Sequence, residues 1–167
     1  MTSQMRYNTK LQIFLTQFLI YILEEKEVTY ESFKELMDIS KSEFSDFIKE
    51  FFAMVDDLRL RYRIVKEQIL NPDNTGLKPT NIYHLNDLDM DNYFEYEHLN
   101  EIQLIKYSMT IVYLMLRNKQ YVTTNYLITI FPNFNKKTMF TMVSKLKEII
   151  PGEINKNQLL SYVIDLD

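Results

Sequence analysis

The feature that most constrains this chain is an internal repeat. Residues 28–48 read VTYESFKELMDISKSEFSDFI, and residues 122–143 read VTTNYLITIFPNFNKKTMFTMV. Aligning Val28-Thr29 with Val122-Thr123 sets Phe33 on Leu127, Leu36 on Ile130 and Met37 on Phe131. One extra residue in the second turn then sets Phe44 on Met139, Ile48 on Val143 and Phe51 on Leu146. The upstream runs LQIFLTQFLIYILEEKE and IQLIKYSMTIVYLMLRNKQ also match in kind, at an offset of about 94 residues. A repeat of this length means one supersecondary unit used twice. The competing explanation is chance similarity between amphipathic helices.

Each copy reads as three helices. In the first, Leu11, Phe14, Leu15, Phe18, Leu19 and Ile22 recur at helical spacing over about 9–24. Thr29 or Ser32 caps a short second helix presenting Phe33, Leu36 and Met37. Asp38-Ile39-Ser40 forms a turn, and Ser40 with Glu43 has the S-x-x-E capping-box spacing that starts a third helix. Phe44, Phe47, Ile48, Phe51, Phe52 and Val55 form that helix's apolar stripe. RLRYRIVKEQIL, the turn-forming NPDNTGLKPT and NIYHLND then predict a β-hairpin with a long tip. In the second copy, Asn100 caps a helix over about 100–118, and Gln120–Val122 forms a short strand. Thr123 or Thr124 caps a helix reaching Phe131, and Asn135 caps another over 136–149, ended by Pro151-Gly152. GEINKNQLLSYVIDL is expected to form a second hairpin turning at NKN. Only two glycines occur in 167 residues, which disfavours a turn-rich sandwich or barrel.

The expected fold class is therefore mainly α with small β-hairpin wings, as two tandem winged helix-turn-helix domains. The first spans 1–88 and the second 100–167, joined by an acidic aromatic linker over 89–99. The run EVTYESFKELMDISKSEFSDFIKEF and the wing ending IYHLND resemble the N-terminal winged-helix domain of DeoR-like and WYL-type bacterial transcription regulators. The tandem arrangement resembles that of Mga-like regulators. The resemblance implies that the outward face of helix 3 enters the DNA major groove while the wing touches backbone or minor groove. Those families usually turn Arg or Thr outward on helix 3; the first copy has Glu43, Asp46 and Glu50 there.

Charge is segregated along the chain. Residues 1–101 hold 11 Lys/Arg and 19 Asp/Glu, whereas residues 102–167 hold 8 and 4, so a net charge of −4 conceals a basic tail. Phosphates dominate DNA affinity, so the surface that binds must carry Lys or Arg. Helix 136–149 meets that requirement, with Lys136, Lys137, Thr138, Thr141, Ser144 and Lys145 outward and Met139, Phe140, Val143, Leu146 and Ile150 inward. Lys156 falls in its wing. The plainer explanation for these lysines is a solvated helix face. In the first copy Lys41, Ser42, Ser45 and Lys49 remain as DNA-facing candidates on helix 3. Alternate Arg59, Arg61 and Arg63 would share one face of a wing strand, joined by Lys66 and by Lys78 at the tip; equally, they could pair with Asp56, Asp57 or the linker.

No enzyme is expected: the chain has no metal-ligand cluster, no nucleophile beside a base and no nucleotide loop. His84 and His98 are expected to be structural. No cofactor is expected. The absence of cysteine removes disulfides and thiolate sites and fits a cytoplasmic address. MTSQMRYNTKLQ is not a signal peptide, because Thr16, Gln17 and Glu24–Glu25 break the apolar run, and no segment reaches membrane-span length. Abundant Asn, Lys, Ile and Tyr point to an AT-rich genome such as that of a low-GC bacterium. The expected partners are double-stranded DNA and a second copy of the chain in a homodimer, with the acidic linker offering a docking point for a protein. The alternative is a tandem winged-helix protein–protein adaptor, resembling the accessory subunits of bacterial condensins or phage and plasmid accessory proteins, without direct DNA reading.

Overall fold

The computed structural model describes residues 3–24, 27–60, 64–69, 80–85, 93–131, 134–152, 157–158 and 163–164. Three helices, α1 (Ser3–Leu23), α2 (Tyr30–Lys34) and α3 (Lys41–Asp57), precede strands β1 (Ile64–Ile69) and β2 (Thr80–Leu85). Then follow α4 (Glu101–Arg117), β3 (Val122–Thr123), α5 (Thr124–Ile130), α6 (Lys136–Ile149) and β4 (Val163–Ile164). The described structure is mainly helical, with one small antiparallel sheet.

The helix starts follow from short polar side chains that satisfy orphan amide groups. Thr29 accepts from the Ser32 amide, and Ser32 Oγ accepts from the Thr29 amide in return. Ser40 and Glu43 exchange the same pair of bonds at α3, as do Asn100 and Gln103 at α4. Thr123 caps α5 and Asn135 caps α6 at the equivalent places in the second half. The α3 and α4 helices end in residues with left-handed backbone, Arg59 at φ 54° and Lys119 at φ 59°. In each, the next amide reaches back to close a Schellman turn: Leu60 N–H to Val55 O and Gln120 N–H to Met115 O, both 3.0 Å. Helix α2 stops at Lys34, so of its three predicted apolar residues Phe33 is buried, Met37 is partly buried and Leu36 is exposed.

Helices α1 and α4 form the centre, and every residue of α4 from Tyr107 to Leu116 is buried. Their polar contacts fix the geometry of the pair. Gln12 Nε2 donates to Ile105 O (2.8 Å), Thr16 and Thr110 hydroxyls meet at 2.8 Å, and Ser108 Oγ donates to Gln12 Oε1 (3.0 Å). These partners lie 93, 94 and 96 positions apart. A near-constant separation requires the two helices to run parallel. It also equals the repeat offset, so Thr16 touches its own counterpart. Contact between repeat-equivalent residues on parallel helices is what a twofold running along α1 and α4 would produce. One hydrophobic cluster extends through both halves. In the first it is aromatic: Phe14 lies 4.9–5.6 Å from Phe18, Phe33, Phe44 and Phe47, ring centre to ring centre. In the second the places of Phe33, Phe44 and Phe47 hold Leu127, Met139 and Met142, all buried.

The β elements break the pseudosymmetry. β1 and β2 pair antiparallel from Ile64↔Leu85 to Ile69↔Thr80, and Val28 bridges to Tyr83 to tie the hairpin to the helices. The described part of the expected second hairpin differs from it: β4 pairs parallel with β3, Val122↔Val163, and Asn157, the last residue of the expected NKN turn, is helical with Gln158, while 153–156 and 159–162 lie outside the described residues. A parallel pair cannot be closed by a tight turn, and α5 and α6 lie between β3 and β4 in the chain.

Candidate nucleic-acid interface

Helix α6 has the predicted bounds but a different phase. Met139, Met142, Val143, Leu146 and Ile150 are buried, at spacings of three and four. Phe140, expected inward, is 49% exposed, because that spacing puts Met142 on the core side and leaves position 140 on the flank. Lys136 and Lys137 are exposed on the first turn, which carries no acidic residue. Neither makes an ion pair among the described residues, so their charge adds to the positive end of the helix dipole. Thr141 is exposed and donates to Lys137 O (3.0 Å); Thr138 and Ser144 are half-buried. Lys145 is exposed but paired with Glu148 at 3.4 Å, a contact of small energetic weight at the surface. Lys156 lies outside the described residues.

The counterpart helix α3 exposes Lys41, Ser42, Ser45, Asp46 and Lys49. Of Glu43, Asp46 and Glu50, the acids expected to face outward, two are engaged elsewhere. Glu43 caps its own helix and meets Lys10 at 3.1 Å, and Glu50 meets Lys106 of α4 at 3.0 Å. The Lys10 hydrogen bond, then the Ser40 amide, hold the Glu43 carboxyl below its ordinary pKa. The expected arginine face on a strand is corrected at its first member. Arg59 is the left-handed residue after α3, not part of β1, and it pairs with Glu95 of the linker. Arg61, Arg63 and Lys78 lie outside the described residues; Lys66 is exposed on β1.

The described part of the linker ties both halves together. Glu95 N–H donates to Leu58 O (2.8 Å), His98 Nε2 to Asp57 O (2.6 Å), and Tyr96 and Tyr126 hydroxyls meet at 3.1 Å. Burial, then the Tyr126 bond, pushes the Tyr96 phenol up to about 12. Sequence reasoning missed Tyr107, whose hydroxyl donates to Asp57 Oδ2 at 2.6 Å; burial and this bond raise its pKa. His84 pairs with Glu67 at 3.1 Å across the hairpin. Among the described residues there is no cluster of three or more metal-ligating side chains, and no helix is long and apolar enough to cross a membrane. No family model, no curated protein and no solved structure matches this chain.

Proposed function

We propose that this chain is a DNA-binding transcription regulator built from two winged helix-turn-helix units, with α6 laid in the major groove. The observation that carries the reading is the exposed Lys136 and Lys137 on the first turn of α6, without an ion pair among the described residues, beside exposed Thr141. Two lysines at the positive end of a helix attract phosphate, and a threonine on the same face has the reach to meet a base edge. A twofold along α1 and α4 would relate α3 and α6 as the recognition helices of a symmetric DNA-binding dimer are related, which supports the reading. Lys41, Ser42, Ser45 and Lys49 would then touch the second half-site. A homodimer would have to form through surfaces other than the facing sides of α1 and α4, which are spent on each other.

With about six phosphate contacts, affinity falls roughly 10³-fold between about 50 and 200 mM salt. Lys136→Ala with Lys137→Ala removes two such contacts and lowers the salt slope by about 2 on every duplex. A mobility-shift titration of the wild type and this double variant against random duplex is the test; equal retention of both refutes the reading. A second reading, a protein–protein adaptor, is favoured by Phe140, a ring left half in solvent next to Lys136 and Lys137. It gains if the wild type does not shift duplex at low salt.

A further inference from the structure

A cleft of about 350 Å³ opens between α6 and the α1–α4 pair. Its walls include Ile105 and Met109 of α4, Phe134, and Met142 of α6. Lys137 and Lys145 stand along it on α6, opposite Thr9 and Gln12 of α1, and no carboxylate lines it among the described residues. The volume lies in the range of small-molecule sites, and methionines give a floor that adapts to irregular apolar shapes.

The pseudosymmetry shows what is distinctive here. The repeat places Glu50 where the second half has Lys145, and Lys106 where the second half's neighbour has Gln12. In the first half that pair is a salt bridge at 3.0 Å, latching α3 onto α4. Tyr107 and Gln103 of α4 strengthen the latch by donating to Asp57 at 2.6 and 3.3 Å. In the second half Gln12 is turned to Ile105 O and Ser108, and Lys145 reaches along its own helix to Glu148. The space that one half closes with an ion pair, the other leaves open, with Lys145 at the acid's station and neutral Gln12 at the lysine's.

We infer that this cleft binds a small amphipathic carboxylate, its apolar body against Met109, Phe134 and Met142 and its anionic head between Lys137 and Lys145. The ligand's carboxylate meets the two lysines that no acid lining the cleft meets. The site rests on the cleft's geometry and not on the DNA reading, although the two share Lys137, which cannot hold a ligand carboxylate and a phosphate at once.

The probe is decanoate, kept below its micelle concentration, titrated into the full chain by calorimetry and by amide NMR. Decyltrimethylammonium of equal chain length is the charge control. Decanoate is expected to bind one to one, shifting the amides of Met109, Thr138 and Met142. The ammonium should bind about tenfold more weakly or worse, the size of one partly desolvated charged contact. Lys145→Glu should abolish that preference. Thr138→Trp, from a half-buried position on the cleft wall, should cut decanoate affinity about tenfold or more; Thr9→Trp tests the opposite wall if the first variant folds poorly. Equal binding of both amphiphiles to the wild type, no saturable decanoate binding, or full binding by both tryptophan variants overturns the inference.

Discussion

The buried contact between Thr16 and Thr110 yields an asymmetric prediction. The Thr16 hydroxyl spends its single proton on Gln12 O at 2.8 Å, so Thr110 must be the donor in the 2.8 Å contact between them. Thr16→Val preserves shape but strands the Thr110 proton in a site with almost no solvent access. An unsatisfied buried donor costs about 1–3 kcal/mol, so we expect about 1.5 kcal/mol, part of it recovered if Thr110 turns to its own helix. Thr110→Val leaves the Thr16 proton satisfied and forfeits only an accepted bond, about 0.5–1 kcal/mol. The double variant replaces both partners by apolar isosteres and should cost less than the two singles together, with a coupling of about 1 kcal/mol. The chain has no tryptophan, so urea unfolding is followed by circular dichroism at the helix band. With a slope of about 2 kcal/mol per molar urea, Thr16→Val moves the midpoint down by about 0.75 M. If Thr110→Val costs as much as Thr16→Val, or the two effects simply add, the assigned proton direction is wrong and the helices do not meet in this register.

Two further outcomes can be checked directly. Lys119→Gly relieves a left-handed backbone while keeping the Gln120 turn, and should stabilise the chain by about 0.5–1 kcal/mol in the same urea assay; a loss would mean the Lys119 side chain contributes more than its strain costs. At high pH the Tyr96 phenol, raised to about 12, keeps a proton that the unfolded chain releases near its ordinary value of 10. Its contribution is complete below about pH 10 and disappears between there and about 12, so midpoints should fall through that window and fall less in Tyr96→Phe. A midpoint that climbs above pH 10 would contradict the burial of this phenol.

Local chemistry made the helix ends legible. Thr29, Ser40, Asn100, Thr123 and Asn135 cap where their side chains predict, because a cap depends on atoms within three residues. The phase of α6 was less secure. Phe140 and Met142 are both apolar, and only packing against α1 and α4 decides which turns inward. Arg59 read as part of a strand because alternation with Arg61 and Arg63 mimics one, whereas the Schellman turn depends on a conformation that arginine adopts at a cost. The β3–β4 pairing joins segments distant in sequence and has no local signature. The sequence does carry one sign of the helix pairing: polar residues interrupt both apolar helices, and threonine recurs at the same repeat position, 16 and 110. Paired polar residues inside two otherwise apolar helices mark the side on which those helices meet.

Joining both copies in one polypeptide frees them from the rule that binds identical subunits. Across a true dyad, a change on one side must appear on the other. Here Gln12 and Lys106 occupy matching stations yet differ, so selection could tune each flank independently, sealing one and hollowing the other within a single gene product.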